Sequence, residues 1–237
     1  MIVAIHQPEF LPWLGFLDKA AQADLLVLLD HVPIRKRYFH NRNRIRTANG
    51  VEWVTVPIHS GGWPAINEIE VSNESQGTWG RKIWAAIKQN YGRAPYFERY
   101  ADGLQALLEK RWVRLVELNE ALIHYLFDAY GIKVNMVNSS KFDLKSSKGR
   151  LMLDLSIATA ATTYLSGVSG KDYLDLQSFE KAGIGVRFQE FFHPIYLQRY
   201  QPFIPCMSCI DLLFQLGPQS LEVLRGAGAA RLQYNFK

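Results

Sequence analysis

Ile2-Val3-Ala4-Ile5-His6-Gln7-Pro8 and Leu25-Leu26-Val27-Leu28-Leu29-Asp30 are the stretches on which the reading of this chain turns. Each is a short apolar run ending in polar residues, and Gly15 to Ala23 between them is helix-capable, so the order reads as strand, crossover helix and parallel strand. Such crossovers are right-handed almost without exception. His6, Gln7 and Asp30 then emerge together at the carboxyl edge of neighbouring parallel strands, where open α/β sheets hold their ligands. That edge is the expected active site. The expected fold class is α/β, a mostly parallel Rossmann-like sheet with flanking helices and a helical insertion.

The rest of the chain continues this pattern. Val51 to Ile58 reads as a strand closed by the turn signal Ser60-Gly61-Gly62, and Ile66 to Val71 alternates like a half-buried strand. Trp79, Ile83, Trp84 and Ile87 share one helical face, and Leu107 to Tyr130 keeps helical apolar spacing until Gly131 can cap it. These aromatics read as core more than as a base-stacking platform. Ile132 to Val137 and Val186 to Phe192 read as further strands, with Met152 to Thr163 as a helix between them. No repeat, low-complexity run or obvious linker divides the chain, so residues 1–237 are expected to form one domain with a helical insertion over approximately 77–130.

With 48% hydrophobic and 21% charged residues, the chain has enough apolar material for one large core. Its start lacks a basic segment followed by a long apolar one, and no apolar run approaches the roughly 20 residues that span a bilayer. A cytoplasmic protein without a membrane partner is expected. The formal charge is +5, yet Arg35, Lys36, Arg37, Arg42, Arg44 and Arg46 fall in one acid-free segment, and without them 21 basic residues face 22 acidic ones. Basicity this local points to an anionic ligand or an acidic partner, and away from nucleic acid.

Several residues are candidates for chemistry. His6 at a strand end would act as a general base near neutral pH or donate to a phosphate, unless Pro8 merely ends the strand and backbone groups satisfy the ring. Asp30 would orient His6 or bind a sugar hydroxyl, or else cap the following turn. In the extended segment Asn41-Arg42-Asn43-Arg44 the asparagines face one way and the arginines the other, and paired guanidinium groups suit a diphosphate or carboxylate. Arg35-Lys36-Arg37 reads as a solvated face, and His40 is a weaker candidate. Tyr164 to Lys171 is a strand entering a glycine-containing turn in which Ser166, Gly167 and Lys171 would cradle phosphate, although the spacing is not that of a Walker A loop. His193 follows the strand Val186 to Phe192 and is the second acid/base candidate. The six histidines show no i, i+4 pairing and no carboxylates cluster, so no metal is expected.

Taken in order, His6-Gln7-Pro8, Leu11-Pro12-Trp13-Leu14-Gly15-Phe16, Asn41-Arg42-Asn43-Arg44-Ile45, Tyr164-Leu165-Ser166-Gly167, Phe188-Gln189, His193-Pro194, Tyr196, Gln198 and Ser208-x-x-Asp211-Leu212-Leu213-Phe214 resemble the WbqC-like family of bacterial proteins. The resemblance extends to about Gly217. It implies a role in building surface polysaccharides such as the O-antigen of lipopolysaccharide, at the stage of modified, nucleotide-activated sugars. It also adds Trp13, Tyr196, Gln198 and Asp211 to the substrate-binding side. The pattern asks for Ser208 and Asp211 but not for Cys206 and Cys209, so the C-x-x-C is read as two free thiols, and Ser208-x-x-Asp211 as a helix-start cap.

The expected activity is therefore transfer of an acyl or aminoacyl group to an amine or hydroxyl of a nucleotide-linked sugar. Arg42, Arg44 and the Gly167 to Lys171 turn would hold phosphates of that sugar or of a phosphopantetheine- or nucleotide-linked donor, and the basic patch would suit an acidic carrier protein. No bound cofactor is firmly implied. A nucleotidylyltransferase is the alternative enzyme, weakened because Pro12-Trp13-Leu14-Gly15 lacks the histidines of that superfamily's ATP motif. A non-catalytic scaffold for glycan assembly is the third reading.

Overall fold

The computed structural model describes every residue except 60, 63, 74–77, 227–230 and 234–237, and describes 231–233 by backbone alone. Ser60 of the expected turn lies outside the described residues. The centre is β1 (Ile2–His6), buried on both faces because strand alternation sends Val3 and Ile5 one way and Ala4 the other. Val3 and Ile5 join Leu151, Leu155, Tyr164 and Phe179 in one apolar cluster. Ala4 joins Phe16, Leu17, Leu118 and Phe127 in the larger one. Burying each large side chain contributes about 1.5–3 kcal/mol, so β1 stands on two cores at once.

After β1 the chain forms α1 (Leu14–Ala21) and β2 (Leu25–Leu28), then a hairpin of β3 (Arg42–Thr47) and β4 (Gly50–Thr55) with Arg44 opposite Trp53. A small pair, β5 (Ile58–His59) and β6 (Glu70–Val71), precedes the helices α2 (Thr78–Tyr91), α3 (Phe97–Glu109) and α4 (Leu115–Tyr130). The chain then returns to the sheet through β7 (Asn135–Asn138), α5 (Lys148–Ala158), β8 (Thr163–Ser166), α6 (Leu176–Lys181) and β9 (Gly185–Phe188). It ends with β10 (Phe192–Pro194), α7 (Ile210–Leu216), α8 (Ser220–Arg225) and β11 (Arg231–Gln233), which pairs with β10. The central sheet has the order β7-β2-β1-β8-β9 and all its pairs are parallel. Chain direction across the sheet reverses between β1 and β8, the crevice where doubly wound sheets bind ligands.

This is the α/β, Rossmann-like architecture expected from the sequence, with differences in detail. The block Leu107 to Tyr130 is two helices, because buried Trp112 donates its indole N–H to the Leu107 carbonyl at 2.8 Å, where a continuous helix would place a backbone amide. Gly131 does cap α4, at φ 74°. The helix expected over Met152 to Thr163 begins earlier and ends at Ala158. There the Thr159 hydroxyl donates to the Leu155 carbonyl at 2.7 Å and Ala160 turns to φ 53°. Val186 to Phe192 is split into β9 and β10, and Val51 to Ile58 divides around Pro57. Much of Ile66 to Val71 is a 3-10 turn. Among the described residues, no helix is long and apolar enough to cross a membrane.

Candidate functional site

His6 closes β1 at the crevice. Its Nδ1 lies 2.9 Å from the Gln7 carbonyl and its ring meets Phe16 edge-on at 4.9 Å. A carbonyl only accepts, so Nδ1 bears the proton and Nε2 is left with a lone pair. Burial, aided by the charge of Lys19, drives the imidazole pKa down to about 3, which keeps the ring neutral but makes Nε2 a weaker base than the near-neutral one expected from the sequence. Half-buried Gln7 follows it out of the strand.

Around His6 stand groups that the sequence reading passed over. Lys19 on α1 is 3% exposed and donates from Nζ to the Ile5 carbonyl at 2.7 Å. Glu9 is 1% exposed and its Oε2 has no hydrogen-bond partner. Burial pushes Glu9 up to about 8 and Lys19 down to about 7, each shift opposed by the charge of the other. The pair holds the same number of protons whether neutral or ionised, so a ligand can move a proton between them without exchange with solvent. A hint was available in Lys19, which falls three residues after Phe16 on the apolar face of α1.

The loop before β3 closes over these groups. The Phe10 amide donates to the Phe39 carbonyl at 2.9 Å, and His40, fully buried, sets Nδ1 3.2 Å from the Pro8 carbonyl. Burial brings His40 down to about 4, and its Nε2 is unpartnered. Tyr38 lies 5.0 Å from the His40 ring, its hydroxyl pushed up to about 12 by burial, and the Arg35 guanidinium is 5.9 Å from the Tyr38 ring.

The opposite wall comes from β8. Ala4 pairs with Leu165, so the strand ends at Ser166 and Gly167 beside His6. The buried Ser166 hydroxyl donates to the Gly167 carbonyl at 3.1 Å. Gly170 packs so closely that a Cβ there would lie 2.0 Å from Ser166 Oγ, and the Gly170 amide returns to the Gly167 carbonyl at 3.0 Å. Lys171 is exposed and stands 5.4 Å from the Phe188 ring centre.

Other sequence candidates lie elsewhere. Asp30 does not contact His6 as expected. Its buried carboxylate accepts from Ser139 Oγ at 2.9 Å, Ser140 N at 2.8 Å, Ser140 Oγ at 2.7 Å and Asn138 Nδ2 at 3.2 Å, tying the end of β2 to that of β7. His193 is fully buried with Nδ1 on the Pro194 carbonyl at 2.8 Å and Nε2 accepting from Cys206 N at 3.1 Å, so backbone groups engage both nitrogens. Tyr196 Oη and Gln198 Nε2 each donate to Asp211 Oδ2 at 2.7 Å. Burial raises the Asp211 carboxyl, against those hydrogen bonds. Asp211 therefore serves this buried network and not the helix-start cap read from the sequence. Cys206 and Cys209 are buried thiols that form no disulfide, and burial raises the Cys209 thiol.

The basic segment divides as its alternation requires. Asn43 is fully buried and donates to the Phe10 and Leu11 carbonyls at 3.3 and 2.8 Å, while Asn41 donates to the Val56 carbonyl at 2.8 Å. Arg42 and Arg44 emerge beside the exposed Trp53, 4.1 and 5.7 Å from a ring centre. They also donate to the Arg37 and Cys206 carbonyls at 3.0 and 2.9 Å. Trp13 lies across Gly15, where a Cβ would come 2.2 Å from the indole, and meets Phe191 edge-on at 5.2 Å. A hollow of about 370 Å³ lined by Leu176, Glu180 and Gly183 to Val186 opens where β9 begins, at the far edge from His6, and lacks comparable titratable chemistry.

The model of the WbqC-like protein family matches residues 7–223. The chain is also 33% identical over 227 residues to the uncharacterized protein Rv1507c of Mycobacterium tuberculosis (strain ATCC 25618 / H37Rv), a similarity covering 94% of this chain and 97% of that one. The matched span begins at Gln7, just after β1 and His6, and takes in the loop holding Glu9, α1 with Lys19, His40 and the β8 turn: the chain belongs to the WbqC-like protein family.

Proposed function

We propose that this protein is a group-transfer enzyme of bacterial surface-glycan assembly, moving an acyl or aminoacyl group onto an amine or hydroxyl of a nucleotide-linked sugar in the cytoplasm. The observation that carries the reading is a neutral His6 with its Nε2 lone pair at the strand-order crevice, among the buried groups Glu9, Lys19 and His40. Family membership supports the pathway. In the proposed step the acceptor attacks the acyl carbon of a thioester and its proton passes to His6 Nε2. The carbon–sulfur bond then breaks, and the departing thiolate takes the proton back. Arg42, Arg44 and the Gly167 to Lys171 turn are the proposed phosphate-facing groups. An acidic carrier protein bearing the phosphopantetheine thioester would dock against the basic segment.

The test is mass spectrometry of products after mixing the purified protein with carrier-linked acyl and aminoacyl thioesters and a panel of nucleotide sugars. A mass increment on one sugar is expected, with turnover in His6→Gln reduced by about 10²–10⁴ while the melting transition is kept. Full turnover in His6→Gln, or no product from any pair, would sink the reading.

A further inference from the structure

The two histidines beside the end of β1 present the same chemistry to a ligand. Nδ1 is engaged by a backbone carbonyl in each, at 2.9 Å in His6 and 3.2 Å in His40, so each Nε2 offers a lone pair and no proton. Glu9 in its ionised form adds a third acceptor. His40 Nε2 and Glu9 Oε2 are buried without partners. An unmet buried polar atom costs about 1–3 kcal/mol, so the greatest gain comes from a ligand that brings donors. Phosphate is an anion richer in acceptors than in donors, and its charge would face the Glu9 carboxylate. Among the described residues, no group of three His, Cys, Asp or Glu side chains could hold a metal ion.

Two cations qualify what that molecule is. The charges of Lys19, from α1, and of Arg35, from the loop above, act on His6 and His40 respectively, with Tyr38 packed beside the latter. The Glu9 carboxylate offsets the charge of Lys19, so the charge left over is that of Arg35, and it disfavours an ammonium and favours a neutral amine. A neutral amine offers two N–H donors and keeps a lone pair for attack, whereas a hydroxyl offers one donor.

We propose that the floor of the crevice, formed by His6, Glu9 and His40, binds a primary amine flanked by hydroxyl groups and holds it neutral as the attacking nucleophile. This rests on the group-transfer reading and narrows its acceptor to an amino sugar whose phosphates lie outside the floor.

Calorimetric titration of the full chain with glucosamine, glucose and inorganic phosphate tests it. Glucosamine is expected to bind about tenfold more tightly than glucose and to be undisturbed by phosphate, with the preference falling to about twofold in Glu9→Gln. Nitrogen-15 histidine spectra of the unaltered protein provide a second readout that no folding defect can spoil. At pH 7 Nε2 of His6 and His40 should lack a proton and should shift with glucosamine but not with phosphate. Equal affinity for the two sugars, displacement by phosphate, or a protonated Nε2 in either ring overturns the proposal. An amine preference without turnover of any thioester would sink group transfer and keep the amine site. Transfer to a hydroxyl acceptor without an amine preference would do the reverse.

Discussion

Asn43 illustrates how a residue with a ligand-like side chain can be given over to the backbone. Its amide bonds two successive carbonyls, those of Phe10 and Leu11, and Leu11 sits at φ 44°, a conformation costly for a residue with a Cβ. The clamp holds the turn that carries Glu9 beside His6. Asn43→Ala would leave those buried carbonyls unmet and release the turn, for an expected loss of about 2 kcal/mol or more in urea unfolding. Unchanged stability would show that water replaces the amide. Alternation along 41–44 already divided asparagines from arginines. It could not tell which set met solvent, because that depends on the loop at Phe10, more than thirty residues away in the chain. Asp30 and His193 read as candidates for catalysis for the same reason: the partners that engage them, Ser139, Ser140 and Cys206, come from other segments of the chain.

At the scale of elements, the readable features were those with short-range causes. The apolar runs of β1 and β2, the helix between them and the Gly131 cap depend on neighbouring residues, and each is present. The break between α3 and α4 depends on where Trp112 finds its core, which no local periodicity encodes. Gly80 gives the sharpest test of such packing. It lies inside α2, where alanine would ordinarily stabilise by about 1 kcal/mol. Here a Cβ would come 1.9 Å from the Leu108 carbonyl of α3. Gly80→Ala is therefore expected to reverse sign and destabilise by about 1–3 kcal/mol, read as a lower melting temperature with helicity retained. A raised melting temperature would mean that the two helices do not approach this closely.

Across the whole molecule, the buried titratable groups set how stability follows pH. His6, His40 and His193 are held by burial at about 3, 4 and 4, against 6.5 when unfolded. Between roughly pH 4 and 6.5 the unfolded chain therefore binds up to three protons that the folded chain refuses, and stability falls as pH falls through that window. Glu9, raised from 4.5 to about 8, and Asp211, raised from 3.8, act oppositely, since the folded chain keeps protons that the unfolded chain has released. Near pH 5 to 6 the three histidines outweigh the raised acids, and each histidine contributes a slope of up to about 1.4 kcal/mol per pH unit. Above 6.5 the histidine effect is over, and the downward pull of Glu9 is met from about pH 7 by Lys19, lowered from 10.5 to about 7, whose proton the unfolded chain keeps and the folded chain releases, so stability rises to about pH 6.5 and then levels off. His193 isolates the effect, because its ring is fully buried, bonded to backbone at both nitrogens and outside the His6 group. His193→Gln should lower stability at every pH yet reduce the slope between pH 5 and 6 by up to about 1.4 kcal/mol per pH unit, as measured by urea unfolding at half-unit steps. A slope as steep as that of the unaltered protein would mean that His193 accepts its proton in the folded state, contrary to its engagement by the Pro194 carbonyl and the Cys206 amide.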